Sequence, residues 1–342
     1  MKHVVNHLVT AVALTTLAMP SLALEPLPEE KGFSGFVNLG VGTGSIESNF
    51  LARIPGVDID LGSETINDFD SPDDESITMP SLNLNVGYTF ASGKTRVFLG
   101  SDLEDFLQFD RSTVLALRHD FDRVGRMQLS LLTSAYPGTE VWADPYVTGE
   151  KRKDTEFSSS GARFTWDKIL GSNFEVKVTS REREIDDERS GEGLGLSKAE
   201  RKLLDREGDV SRAEVGYMFK FGGGRHFVRP SVAVIDYDLD GDAMSQDGYE
   251  AAVSWAYAPN KNFRWVNNVL FQSLEGDKKN PIFNEVSDED TIGLASQMFF
   301  PGAFGWKKWT PNVSGIWADG DNDIDFNDSS GWMISAGVFR RF

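Results

Sequence analysis

The chain has 342 residues, 53 acidic against 34 basic side chains, a formal net charge of −19 and no cysteine. That balance excludes nucleic acid as a partner, since a polyanion is bound through an excess of lysine and arginine; it also excludes a disulfide framework. No stretch approaches the roughly eighteen consecutive apolar residues that a membrane helix needs, so a helical membrane protein is excluded as well.

The first predicted element is a leader. Lys2 supplies a positive start, Leu8 to Leu17 is a short apolar run, and Pro20-Ser21-Leu22-Ala23 gives a break and a small-residue cleavage site. The run is too short to span a bilayer, so 1–23 reads as a secretory signal peptide, with one domain expected over 24–342.

From Phe33 onward the hydrophobic period is two. Phe33, Val37, Leu39 and Val41 share one parity; an acidic segment follows from Ser48 to Pro80. Leu82, Leu84, Val86, Tyr88 and Phe90 then alternate with polar or small residues up to the turn Ala91-Ser92-Gly93-Lys94. The same rhythm continues through strands centred near Val97, Leu115, Leu129, Phe164, Val176, Val215, Val232, Val253, Val269, Leu294 and Val313. Short turns, such as 121–125, 168–173, 222–224 and 259–262, alternate with long polar loops. Fourteen strands are expected, with 12 to 16 compatible with the pattern.

The last strand is Gly331 to Phe342, with Trp332, Ile334, Ala336, Val338, Arg340 and Phe342 on one parity and Met333, Ser335, Gly337, Phe339 and Arg341 on the other. It resembles the C-terminal strand of Gram-negative outer-membrane β-barrels, which carries apolar residues at alternate positions and ends in Phe. Arg340 departs from that pattern, standing where the class usually has an apolar or aromatic residue. The resemblance implies an all-β, transmembrane, antiparallel up-and-down barrel in the outer membrane. It also implies assembly by the barrel-insertion machinery and a surface in contact with lipid and lipopolysaccharide. Closure follows physically, because lipid offers an open sheet edge no hydrogen-bond partner.

Three groups of residues could carry function. Opposite the apolar parity lie Arg96, Arg118, Arg163, Lys177, Arg181, Arg183, Arg212, Lys220, Arg264 and Lys308, against fewer acids, Asp102, Glu175, Glu214 and Glu250. An acidic chain therefore holds a basic inner wall, which suits anionic solutes because guanidinium groups bind carboxylate or phosphate bidentately. Mutual pairing of these charges is the competing reading. The loop 185–208 contains the capping box Ser197-Lys198-Ala199-Glu200, so a short amphipathic helix is expected there, with Lys198, Arg201 and Lys202 either constricting the pore or resting on its rim. Asp236, Asp238, Asp240, Asp242 and Asp247 imitate the spacing of a calcium loop around Gly241, although strands rather than helices flank them. No other cofactor is expected.

Outer-membrane proteases and phospholipases share this architecture and use a histidine at the external rim. Here His119 and His226 lie beside short turns, at the opposite end, so no nucleophile-and-base pair is expected where a substrate would arrive. The expected function is a channel for small hydrophilic, anionic solutes. The alternative is a non-channel surface barrel with a structural, adhesin or receptor role in its acidic loops.

Overall fold

In the computed structural model, which describes residues 27–28, 30–54, 59–101, 112–134 and 139–342, the chain winds into one closed antiparallel barrel of fourteen strands. The strands are β1 Gly32–Ser48, β2 Asp74–Thr89, β3 Thr95–Gly100, β4 Ser112–Asp120, β5 Arg126–Ser134, β6 Asp154–Asp167 and β7 Phe174–Ile185. Then come β8 Gly208–Tyr217, continued by Phe219–Phe221, β9 His226–Leu239, β10 Gln246–Asn260, β11 Phe263–Gly276, β12 Glu289–Phe299, β13 Thr310–Asn322 and β14 Ser329–Arg341. Every strand pairs with its neighbours in sequence, and β14 closes on β1 from Phe36↔Arg341 to Ser48↔Ser329. Reciprocal backbone hydrogen bonds between Gly35 and Phe342 seal the seam at its lower end. The predicted signal peptide and Asp102 lie outside the described residues.

The two parities part as a lipid-facing barrel requires. Leu82 and Leu84, Leu129 and Leu131, Val232 and Val234, Ile292 and Leu294, and Ile334 all point outward and are exposed. Aromatic rings gather at the short-turn end, where Tyr88 contacts Phe33 and Phe90, Tyr217 contacts Phe174 and Phe219, and Trp255 contacts Trp265. Such a belt places amphipathic rings at the membrane interface. Arg340 fits this zone: its guanidinium lies over the Trp309 ring at 5.5 Å, so the departure from the terminal-strand pattern becomes a cation–π contact at the interface. With its outward apolar belt and closed hydrogen-bond ladder, the chain is an outer-membrane barrel.

One feature differs from the sequence reading. β2 begins at Asp74, inside the segment expected to be loop, because its outer half reverses the pattern: Ile77 and Met79 point inward and are buried while Ser76, Thr78 and Pro80 face out. The first loop, whose course the sequence left open, folds back onto the barrel. Its strand Leu51–Ile54 pairs with Ile59–Asp60 and with Thr139–Trp142, which continues along β6. Ile54 and Leu61 then pack on Ile77 and Met79.

Candidate functional site

The outer mouth is covered. Apolar side chains from the first, third, fourth, fifth, sixth and seventh external loops meet over the barrel axis in one cluster: Ile66, Tyr146, Leu204, Ile324 and Phe326, flanked by Phe50, Phe69, Met244 and Phe283. Phe326 is the centre, with its ring 5.2 Å from Tyr146, 5.8 Å from Phe50 and 5.7 Å from Phe69 and Phe283. Polar ties hold the loops in this position. Arg152 donates to the carbonyls of Asn49 and Pro145, at 2.9 and 3.2 Å, and to that of Ser63, while its guanidinium lies 4.6 Å from the Trp142 ring. Asp144 accepts from Gly191 and Gly193, both at 2.9 Å. Arg206 pairs with Glu188 at 2.8 Å and donates to the Trp142 carbonyl.

Burial sets the electrostatics of this cap. It lowers Arg152 to about 10, since no carboxylate offsets its desolvation, and it raises Glu188 despite Arg206. It also pushes the Tyr146 phenol up to about 12, chiefly through desolvation. A folded value above the unfolded one means that the contribution is fully present below pH 10 and is lost as pH rises towards 12. Two units correspond to about 3 kcal/mol. Tyrosinate absorbance should therefore show a late phase, part of it coincident with protease sensitivity of the loops. Tyr146→Phe should reduce the amplitude of that phase; a late phase unchanged in Tyr146→Phe would contradict the burial argument.

Beneath the cap the barrel is hollow. A cavity of about 420 Å³ lies directly under the loops and another of about 640 Å³ below it, with Thr139, Phe157, Arg183, Tyr237, Gln272, Glu289 and Ser329 lining both. The lower cavity carries four arginines, Arg163, Arg181, Arg183 and Arg212, against Glu250 and Glu289. They line up because β6, β7 and β8 turn alternate residues inward, which puts Arg181, Arg183 and Arg212 on adjacent rungs of one wall.

The floor is a buried ion cluster. Arg229, fully buried on β9, sits between Glu175 at 2.5 Å and Glu214. Arg212 bridges Glu214 at 2.5 Å and Glu250 at 2.6 Å, and Lys177 pairs across the strands with Glu214. Gly216 is required there: a Cβ would come within 2.8 Å of the Arg229 guanidinium. Three cations and three carboxylates leave the floor without net charge, so the excess positive charge belongs to the chamber above it.

The predicted residues therefore separate into several places. Arg163, Arg181 and Arg212 line the chamber, and Lys177 joins its floor. Arg96 and Arg118 are buried beside it, with guanidiniums 5.5 and 5.4 Å from the Phe98 ring. Lys220, 5.4 Å from the Phe227 ring, and Arg264 lie at the short-turn end. Lys308 is exposed in the turn before β13 and is not on the wall. The capping-box helix, Lys198–Lys202, forms, but Lys198 and Lys202 stay exposed on the outside of the cap and Arg201 faces Glu192 at 3.9 Å. Constriction by these three is corrected for a simple reason: Leu204, just past the end of the helix, is what turns inward.

The calcium loop is corrected too. Asp236 and Asp238 lie on β9, outward, and Asp247 lies opposite Asp236 on β10. Asp242 pairs with Lys278, and Asp240 is exposed in the hairpin. Alternate residues of a strand fan along one face and do not converge on a point; among the described residues no three His, Asp or Glu side chains gather as a metal would need. The reading from sequence missed Arg229 and Arg152. Arg229 was legible as lying on the parity opposite to Val228, Val232 and Val234. Arg152 carried no signal, because a loop arginine shows nothing of the carbonyls it will meet.

The family profile described as "Protein of unknown function (DUF2860)" matches residues 32–339, essentially the whole barrel. The chain belongs to the DUF2860 family. No curated protein matches it. Among solved structures, this DUF2860 barrel is similar to the outer-membrane channel DcaP of Acinetobacter baumannii, at 12% identity and TM-score 0.45, covering 91% of this chain and 98% of that one. It is also similar to OmpT of Vibrio cholerae, at 10% identity and TM-score 0.41, covering 92% and 100%. A Pseudomonas aeruginosa FadL homologue matches at 11% identity and TM-score 0.42, covering 91% and 90%. At this distance no substrate passes from them to the DUF2860 chain.

Proposed function

We propose that this barrel is a gated outer-membrane channel for small hydrophilic anions, not a catalyst. The observation that carries the reading is the chamber: four arginines and two carboxylates around about 640 Å³ inside a barrel of net negative charge. A cluster of guanidiniums in a space screened from bulk water attracts anions and repels cations. The sealed cap changes the passive channel expected from the sequence into one whose loops must part. Lipopolysaccharide at the loop rim and the assembly machinery at the terminal strand complete this picture as partners.

The test is single-channel recording in a salt gradient. Anion-selective reversal is expected, and Arg163→Ala with Arg181→Ala should move the reversal potential towards zero or beyond it. Cation selectivity in the wild type would overturn the basic chamber. The packed cap favours one alternative, a surface barrel with a binding or structural role, and a folded barrel with no conductance and no solute uptake would establish it.

A further inference from the structure

The two cavities differ in chemistry, and the difference selects a ligand class. The upper one has an apolar side, with Phe50, Val141, Leu239 and Leu274, and a polar side that includes Arg206 and Asn322. The lower one holds four arginines among mixed walls. At their junction stands Arg183, which lines both. Its guanidinium lies 5.3 Å from the Phe157 ring and 6.0 Å from the Tyr237 ring. Its Nε is buried and makes no hydrogen bond, and among the described residues no carboxylate forms an ion pair with it. Every carboxylate of the floor is claimed by Arg212, Arg229 or Lys177, and Glu188 by Arg206. A buried cation without a counter-ion is costly, and a ligand that brings one is rewarded.

Resting on the reading of this chamber as the solute path, we propose that it binds an amphipathic organic anion, an aromatic carboxylate with its carboxylate on Arg183 and its ring against the apolar side of the upper cavity. Neither half of the site suffices alone. A bare inorganic anion leaves the apolar walls unused, and a neutral aromatic leaves Arg183 without its counter-ion.

The probe is 2-naphthoate, titrated calorimetrically to equilibrium into the refolded, detergent-held chain. Acetate and 2-naphthamide, which carry the charge alone and the ring alone, are the comparisons. Saturable one-to-one binding of naphthoate is expected, at least tenfold tighter than either comparison. Arg183→Gln should weaken it at least tenfold, with Arg183→Lys in between, and Phe157→Leu should weaken naphthoate while leaving acetate unchanged. Equal binding of naphthoate and acetate would reduce the site to an anion funnel and overturn the proposal. Equal binding of naphthoate and naphthamide, or no saturable binding at all, would overturn it as well. Heat-resistant migration of each variant as a folded barrel separates loss of the site from loss of the fold. Binding without conductance would remove the channel and keep the site, whereas anion currents without naphthoate binding would do the reverse.

Discussion

Replacing Phe326 by alanine should turn a mostly silent barrel into one with long-lived open currents. Phe326 has no exposed surface and touches rings from three other loops, so it is the common contact through which the cap coheres. Truncating such a ring costs about 3–5 kcal/mol through lost burial and the cavity left behind. If the cap opens as a unit, about 3 kcal/mol shifts its open-to-closed ratio by two orders of magnitude. The barrel itself should be spared, because the cap is built from loops while the wall is held by the strand ladder. Single-channel recording measures the open fraction, and urea unfolding in detergent measures the wall. Phe326→Leu should give an intermediate open fraction, since it retains most of the volume. Unchanged currents in the alanine variant, with the loops newly sensitive to protease, would show that the cap does not gate the path. Closure would then have to lie lower, in the ion cluster of the floor.

The wall was legible in the sequence for a physical reason. Lipid imposes a strict apolar parity on every strand within the membrane, so each outward run, such as Leu129 and Leu131 or Val232 and Val234, announces itself and its turns. Outside the membrane that constraint lapses. The outer half of β2 could not be read because its apolar residues, Ile77 and Met79, face a loop rather than lipid. The basic inner wall was legible as the opposite parity, yet its division into chamber, floor and lateral packing was not. Whether Arg163 meets solvent and Arg96 meets a phenylalanine depends on which strands face each other across the lumen. The cap was the least visible part. Phe50, Phe69, Tyr146, Phe283 and Phe326 are scattered through polar loops, each an isolated aromatic with no periodic neighbour, and only their meeting gives them a function. The calcium reading failed by the same logic: spacing suggested convergence, but a strand hairpin spreads alternate carboxylates along one face.

The floor makes the opposite prediction to the cap. Arg229→Met should lower the urea midpoint of the whole barrel, with a loss of about 3–5 kcal/mol, because it leaves Glu175 and Glu214 buried beside each other without their shared cation. Removing one charge of each sign together, in Glu175→Gln with Arg229→Met, should recover most of that loss, because Glu214 keeps Arg212 and Lys177 beside it. A buried ion pair is costly to break but inexpensive to replace by neutral groups of similar volume. Arg212 keeps Glu250 as its partner in the double variant, so the chamber above should hold its charge. That separates two roles that the single variant confounds. If the floor is a structural tie, the double variant should be nearly as stable as the parent and conduct like it. If the floor is a second constriction, the double variant should conduct more once the cap is open, and the increase should appear only when it is combined with Phe326→Ala. A single variant as stable as the parent would mean that the two carboxylates share a proton or find other donors, and the ion cluster would lose its claim to hold the lower barrel together.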